Sequence, residues 1–279
     1  MHIEGGTRIE TGEFQMATNA TIETNDHKAA VREEFTRQAK AYAVAPVITD
    51  GERLARLVRA IDPQRSDRAL EVATGPGYVA MALAEHCREV VGVDLTAAPI
   101  AIAQRTSRER GLTNVRFDVG EADHLSYAGG EFDIVVCRFA FHHFLNPEAI
   151  LAQMCRVCRS GGTVAVQDLY ANENPARAAR CNRIEQLRDT SHTRALALSE
   201  LIAMMGRGGL EVEGVHSERL ITEMESWLAS AQTPADRAAE VRQMLESDQR
   251  SDTSGMMPFV RDGATHFVQR IAAIVCRKS

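Results

Sequence analysis

The stretch Leu70-Glu71-Val72-Ala73-Thr74-Gly75-Pro76-Gly77-Tyr78 decides the fold. A short apolar run, Ala69 to Ala73, stops at a glycine turn, and a helix-like stretch from Tyr78 to His86 follows. Glycine at such a turn lets a ligand approach the backbone with no Cβ in the way. The next helix offers free N–H groups and a positive dipole end to an anionic group. A second apolar run, Val90 to Val93, ends at Asp94, seventeen positions after Gly77. A carboxylate there can accept two hydrogen bonds from a ribose diol.

The same alternation continues outward. A helix is expected from Ala98 to Arg110, a strand at Val115 to Phe117, a strand from Phe132 to Cys137, a helix from Ala149 to Val157 and a strand from Thr163 to Val166. Strands alternating with helices over this distance indicate an α/β parallel sheet covered on both faces. Upstream, Ala30, Val31, Phe35, Ala39 and Tyr42 recur at helical steps, so Asn25 or Asp26 is expected to cap a helix through Tyr42. A second helix runs from about Ile48 to Ile61. Downstream, Asp168 to Thr193 is polar and Arg-rich and is taken as a helical insertion. A helix from Ser199 to Met205, a strand from Leu210 to Val215, helices over Ile221–Ala231 and Pro234–Ser247, and a strand from His266 to Val275 complete the expectation.

The turn and its acid leave two classes open. Gly75-Pro76-Gly77-Tyr78-Val79-Ala80 satisfies the dinucleotide pattern G-x-G-x-x-A, which allows an NAD(P)-dependent oxidoreductase. A nucleotide-dependent methyltransferase is the other. The downstream blocks favour the second. Glu71-Val72-Ala73-Thr74-Gly75-Pro76-Gly77 resembles the first motif of class I S-adenosylmethionine-dependent methyltransferases, which has an acid inside the strand end. Val91-Gly92-Val93-Asp94-Leu95, Val119-Gly120-Glu121-Ala122-Asp123, Phe132 to Arg138 with Phe141-His142-His143-Phe144, and Arg156-Val157-Cys158-Arg159-Ser160-Gly161-Gly162 resemble the later blocks, in order and spacing. The likeness covers about residues 30 to 170 and is nearest to the quinone C-methyltransferase-like small-molecule enzymes. Ala73, Glu121 and Ser160 stand where the family usually has Gly, Asp and Pro.

The resemblance implies a Rossmann-like, seven-stranded, mostly parallel sheet with an antiparallel last strand, helices on both faces and a helical cap. It implies S-adenosyl-L-methionine as cofactor and a small-molecule acceptor methylated at carbon, oxygen or nitrogen. A non-catalytic member that only binds the cofactor is a further alternative. By resemblance Glu71 and the backbone at Ala73, Gly75 and Gly77 would hold the methionine end. Asp94, with Leu95, would bind the ribose. Glu121 and Ala122 would flank the adenine, Arg138 would line the floor, and Tyr42 would close over the cofactor. His143, then His142, are the candidate bases, because they follow the fourth strand and a histidine's ordinary pKa suits proton transfer near neutrality. Asp168 and Tyr170 leave the fifth strand in the direction of the acceptor, and Arg188 to Arg194 is a candidate substrate lid.

The remaining composition narrows the setting. The 279 residues carry 32 basic and 38 acidic side chains, and a net charge of −6 gives no general attraction to nucleic acid. No apolar run approaches a membrane span. The six cysteines form no evenly spaced framework, and the polar start lacks a secretory pattern, which points to a reducing, cytoplasmic setting. Cys155 and Cys158 are expected on one helix face, with no metal site. The expected organisation is a flexible tail over residues 1–25 and one domain over 26–279, with its core at about 65–170 and a cap insertion at about 170–197. The sequence permits a homodimer without specifying one.

Overall fold

The computed structural model describes the backbone of residues 9–279 and side chains from Thr24 onward. The first helix, α1, spans Ile9–Ala43. Asn25 and Asp26 therefore lie inside a helix and do not cap one, because no proline interrupts the stretch and an established helix propagates cheaply. Of the expected tail, residues 1–8 lie outside the described residues. The second expected helix is two. The short α2 (Pro46–Thr49) ends at Asp50, whose carboxylate accepts the Arg53 N–H at 3.0 Å and starts α3 (Gly51–Ile61).

Among the described residues eight strands form one sheet: β1 (Arg68–Val72), β2 (Glu89–Asp94), β3 (Val115–Val119), β4 (Phe132–Arg138), β5 (Cys158–Leu169), β6 (Leu210–Glu223), β7 (Phe259–Arg261) and β8 (Ala264–Lys278). Seven lie in the order β3-β2-β1-β4-β5-β8-β6, and β7 pairs with β8. Strands β1 to β5 are mutually parallel, and β8 runs antiparallel between β5 and β6. The strand beyond the expected seven, β7, is half of a hairpin closed by Asp262-Gly263. Both turn residues have positive φ, 51° and 78°, the backbone of the tight turns that match strand twist.

The strands' alternation fills two layers. Leu70, Val72, Val135, Cys137, Val164 and Val166 face α6 (Pro147–Val157) and α8 (Leu198–Arg207). Ala69, Val90, Ile134, Val136 and Ala165 face α3, α4 (Tyr78–Ala84) and α5 (Ala97–Glu109). A third apolar cluster joins α7 (Pro175–Arg188), α9 (Met224–Ser230) and α10 (Ala235–Asp248) around Trp227 and Phe267. The helical layer beyond the sheet is thus larger than the 170–197 insertion alone.

Two boundaries differ from expectation. Ile221 to Glu223 continue β6, paired with β8 out to Glu223 and His266, and Glu223 then caps α9 through the Glu225 and Ser226 N–H groups. Cys158 opens β5 and does not share a helix face with Cys155, because α6 ends at Val157. No helix among the described residues is long and apolar enough to cross a membrane.

Candidate active site

The chain runs from β1 outward to β3 and then crosses back to β4, so the strand order reverses between β1 and β4. Ligands in open α/β sheets bind outside the carboxyl ends at such a point. A cavity of about 290 Å³ opens there. The ends of β1, β2, β3 and β4 form its floor and walls, and α1 covers it with Thr24, Lys28, Val31, Phe35 and Tyr42.

The backbone is strained where it meets the cavity. Ala73 after β1 and Phe139 after β4 both line it, and both hold φ at 55°, a left-handed conformation that costs a side-chain-bearing residue about 1–2 kcal/mol. Gly75 has φ 53°, and a Cβ there would meet nothing nearer than the Tyr42 ring at 3.9 Å. That gap is open approach to the turn. Gly77 differs from the expectation. It does not line the cavity, and a Cβ on it would fall 2.5 Å from the Phe117 ring and 2.9 Å from Ala103. Its glycine serves the packing of α4 and α5 over β3.

Glu71 is buried at the cavity floor. Its Oε2 accepts the Thr74 hydroxyl at 2.5 Å and the Ala80 N–H at 2.8 Å. Burial outweighs these bonds and pushes its pKa up to about 7. The first turn of α4 is therefore already faced by the protein's own carboxyl. Asp94 accepts the Gly75 N–H at 2.9 Å and the Thr96 N–H at 2.8 Å, and burial raises its pKa as well. These two bonds fix the carboxylate at the end of β2, beside Leu95 on the cavity wall.

Glu121 and Ala122 also line the cavity. Glu121 sits at its rim in ion pairs with Lys28 at 2.7 Å and Arg32 at 3.0 Å, and Lys28 also reaches Asp123 at 2.6 Å. These pairs fasten α1 across the opening. Arg138 is almost fully buried. It donates to Gln167 and to the carbonyls of Val47 and Ile48, so it ties α2 to the floor. Tyr42 packs edge-on to Phe35, and Phe35 packs edge-on to His143, with ring centres 5.8 and 5.0 Å apart.

The adjacent histidines pack ring against ring, with centres 4.1 Å apart, but take different partners. They close a short 3-10 turn, Phe141–His143. His143 lines the cavity; His142 does not. Its Nδ1 lies 2.6 Å from Asp168 Oδ1, and its backbone N–H donates to Oδ2 of the same carboxylate. Burial alone would lower the His142 pKa, but Asp168 raises it. Burial, then the neighbouring His142, lower that of His143 to about 4, so it is neutral at pH 7.

Asp168 is thus spent on His142, and neither it nor Tyr170 meets the cavity. Tyr170 borders a separate small crevice beside Cys181 and Arg270. The Arg188–Arg194 segment forms no lid over the cavity. Asp189, Ser191 and His192 are buried behind His143. Val31, Phe35, Phe139 and Leu145 were not assigned to the site from sequence; Val31 and Phe35 belong to the same apolar stripe as Tyr42, which periodicity alone assigns to packing.

Comparison with known proteins agrees with this geometry. A family model described as a methyltransferase domain matches residues 63–232. An uncharacterized methyltransferase, YcgJ of Bacillus subtilis, is 32% identical over 221 residues, which is 78% of this chain and 87% of that protein. Its solved structure aligns with a TM-score of 0.76 at 27% identity, covering 82% of this chain and 99% of that one. A demethylmenaquinone methyltransferase of Thermus thermophilus is 40% identical over 101 residues, 36% of this chain and 46% of that protein. The oxidoreductase alternative falls with these matches. The chain belongs to the methyltransferase-domain family and is a methyltransferase built on a Rossmann-like sheet.

Proposed function

We propose that the protein moves a methyl group from S-adenosylmethionine to a small-molecule acceptor that meets the cavity near Phe35, His143 and Leu145. One observation carries the choice of donor. Glu71 occupies the first-turn amide of α4, where a dinucleotide would need to place its pyrophosphate, and a buried carboxyl repels that group. The same carboxyl suits a ligand with a cationic amine, and Asp94 beside it suits a ribose diol. Ala73 and Gly75 leave the turn open to close approach.

When bound, the cofactor supplies a methyl group on a positively charged sulfur, already bonded to a good leaving group. The protein's share is alignment and exclusion of water. Glu71 would hold the amino-acid end of the donor and Asp94 its ribose. Phe35, Tyr42 and Val31 on α1 close the cavity and keep it dry. His143, neutral at pH 7, can hold the proton an acceptor must shed.

Calorimetric titration with S-adenosylhomocysteine, NAD and NADP tests the donor. Only S-adenosylhomocysteine is expected to bind. An Asp94→Ala change should weaken it about 10- to 100-fold, the worth of hydrogen bonds to a charged group. Binding of a nicotinamide cofactor would overturn the assignment.

A further inference from the structure

Behind His143 lies a chain of buried polar groups that the methyl-transfer reading does not itself require. His143 Nδ1 is 3.0 Å from Ser191 Oγ, and Ser191 Oγ is 2.5 Å from Asp189 Oδ1. Asp189 Oδ1 also accepts the Ser191 backbone N–H at 2.9 Å, and its Oδ2 accepts from Gln38 on α1 at 3.3 Å. Ser191 is fully buried and Asp189 nearly so. Among the described residues His143 Nε2 has no hydrogen-bond partner, and His143 is the histidine of the pair that lines the cavity.

We infer that Ser191 and Asp189 are positioning residues that hold His143 in the Nδ1–H tautomer and leave its Nε2 lone pair for a proton from the methyl acceptor. The inference rests on the proposed role of His143 in that reaction. The donor directions follow from the groups present. A carboxylate can only accept, so the Ser191 hydroxyl donates to Asp189. Its oxygen then accepts, and among the described residues the proton facing it is the one on His143 Nδ1. A neutral imidazole with a proton on Nδ1 has its other nitrogen bare. With the Ser191 hydroxyl committed to Asp189, the other tautomer would set two lone pairs against each other at a buried contact, which costs about 1–3 kcal/mol.

The arrangement also serves the charged form. The acceptor atom gives its proton to Nε2 while its electron pair forms the bond to the methyl carbon. The pair of the broken carbon–sulfur bond leaves with the thioether sulfur. The ring becomes an imidazolium, and Asp189 faces its charge across Ser191. His142, whose ring centre lies 4.1 Å from that of His143, repels that charge, and its Asp168 partner offsets the repulsion.

The test reads the tautomer directly, without an acceptor. Full-length protein labelled with ¹⁵N-histidine is examined by long-range proton–nitrogen correlation near pH 7, with His143 assigned by its loss in His143→Gln. The wild type is expected to show a protonated Nδ1 and a bare Nε2. Ser191→Ala should move the His143 population toward Nε2–H, Asp189→Asn should move it part of the way, and Ser191→Thr, which keeps the hydroxyl, should restore the wild-type pattern. An Nε2–H tautomer in the wild type overturns the inference, even if Ser191→Ala does not fold. So does an unchanged tautomer in Ser191→Ala or Asp189→Asn. Failure of S-adenosylhomocysteine to bind would remove the donor assignment and leave the tautomer result standing, so the two failures are distinguishable.

Discussion

A single carboxyl, Glu71, sets much of the site's chemistry. It was singled out by the resemblance to the family's first motif, which has an acid inside the strand end, and the fold buries it at the cavity floor. Its protonation was not legible in the sequence, because that depends on burial by distant segments. In the folded protein the carboxyl titrates near 7, above the ordinary carboxylate range. The folded state therefore holds a proton here between about pH 4.5 and 7, and the stability this gives falls away as the pH rises through that window. A ligand ammonium favours the ionised form. Binding of S-adenosylhomocysteine at pH 6 is thus expected to release a fraction of a proton, seen as a dependence of the apparent binding enthalpy on buffer ionisation enthalpy. In Glu71→Gln the dependence should vanish and the affinity should fall by about tenfold or more. Equal proton release in the variant would place the titrating group elsewhere. The histidine pair shows the limit of reading single residues. Periodicity does not say which of two neighbours in a 3-10 turn faces a cavity. The partner that takes His142 away from it, Asp168, lies 26 positions on.

At the level of elements, the β1–turn–α4–β2 unit followed its sequence closely, because glycines, acid and apolar runs all specify the same backbone. Within that unit Gly77 is a packing residue. Gly77→Ala forces a Cβ into Phe117 and Ala103 at a φ of 79°, whereas Gly111→Ala, at φ 69°, meets open space. The first should cost about 3 kcal/mol or more, from overpacking added to left-handed strain, and the second about 1 kcal/mol. Urea unfolding separates them; similar losses in both would mean that φ alone matters. Two of the features that sequence left obscure, the role of α1 and the end of β6, depend on partners remote in the chain. Helix α1 was identified from its stripe, but nothing in a stripe tells a helix that packs on a core from one that covers a cavity. The end of β6 is strand because β8 pairs with it, although Ile221 to Glu223 fit a helix equally well. The β7 hairpin did carry a local signal, the Asp262-Gly263 turn, which the apolar pattern around it obscured.

Across the whole molecule, the sheet and its two helical layers are the part that composition and periodicity determine. The buried polar knot that joins α1, the His142–His143 turn and the Asp189–Thr193 segment emerges only when these parts meet. That knot should govern acid stability. His143 titrates at about 4 and His192 at about 2 in the folded protein, both lowered first by burial. His192 Nε2 bonds Asn182, and the charged groups facing the two rings are His142 with Asp168, Arg188 and Asp189. In the unfolded chain both histidines accept protons as the pH drops below about 6.5, while the folded state refuses them, so stability falls from that point downward. Asp189, held down at about 2, adds its own loss only below about 3.8. His142, with its raised pKa, works the other way: its contribution is present below about 6.5 and is lost as the pH rises through its folded value. The two depressed histidines lose stability on acidification, while His142 and Glu71, both raised, gain it over part of the same range, so the knot's own share is read by comparing variants. Between pH 7.5 and 5 each depressed histidine should cost about 2 kcal/mol, since the unfolded chain is then about 1.5 pH units below its histidine pKa. Over that interval His192→Gln, which preserves a partner for Asn182, should therefore lose about 2 kcal/mol less than the wild type, read from the shift of the urea midpoint in each. The same midpoint change in variant and wild type would show that His192 carries none of the acid sensitivity.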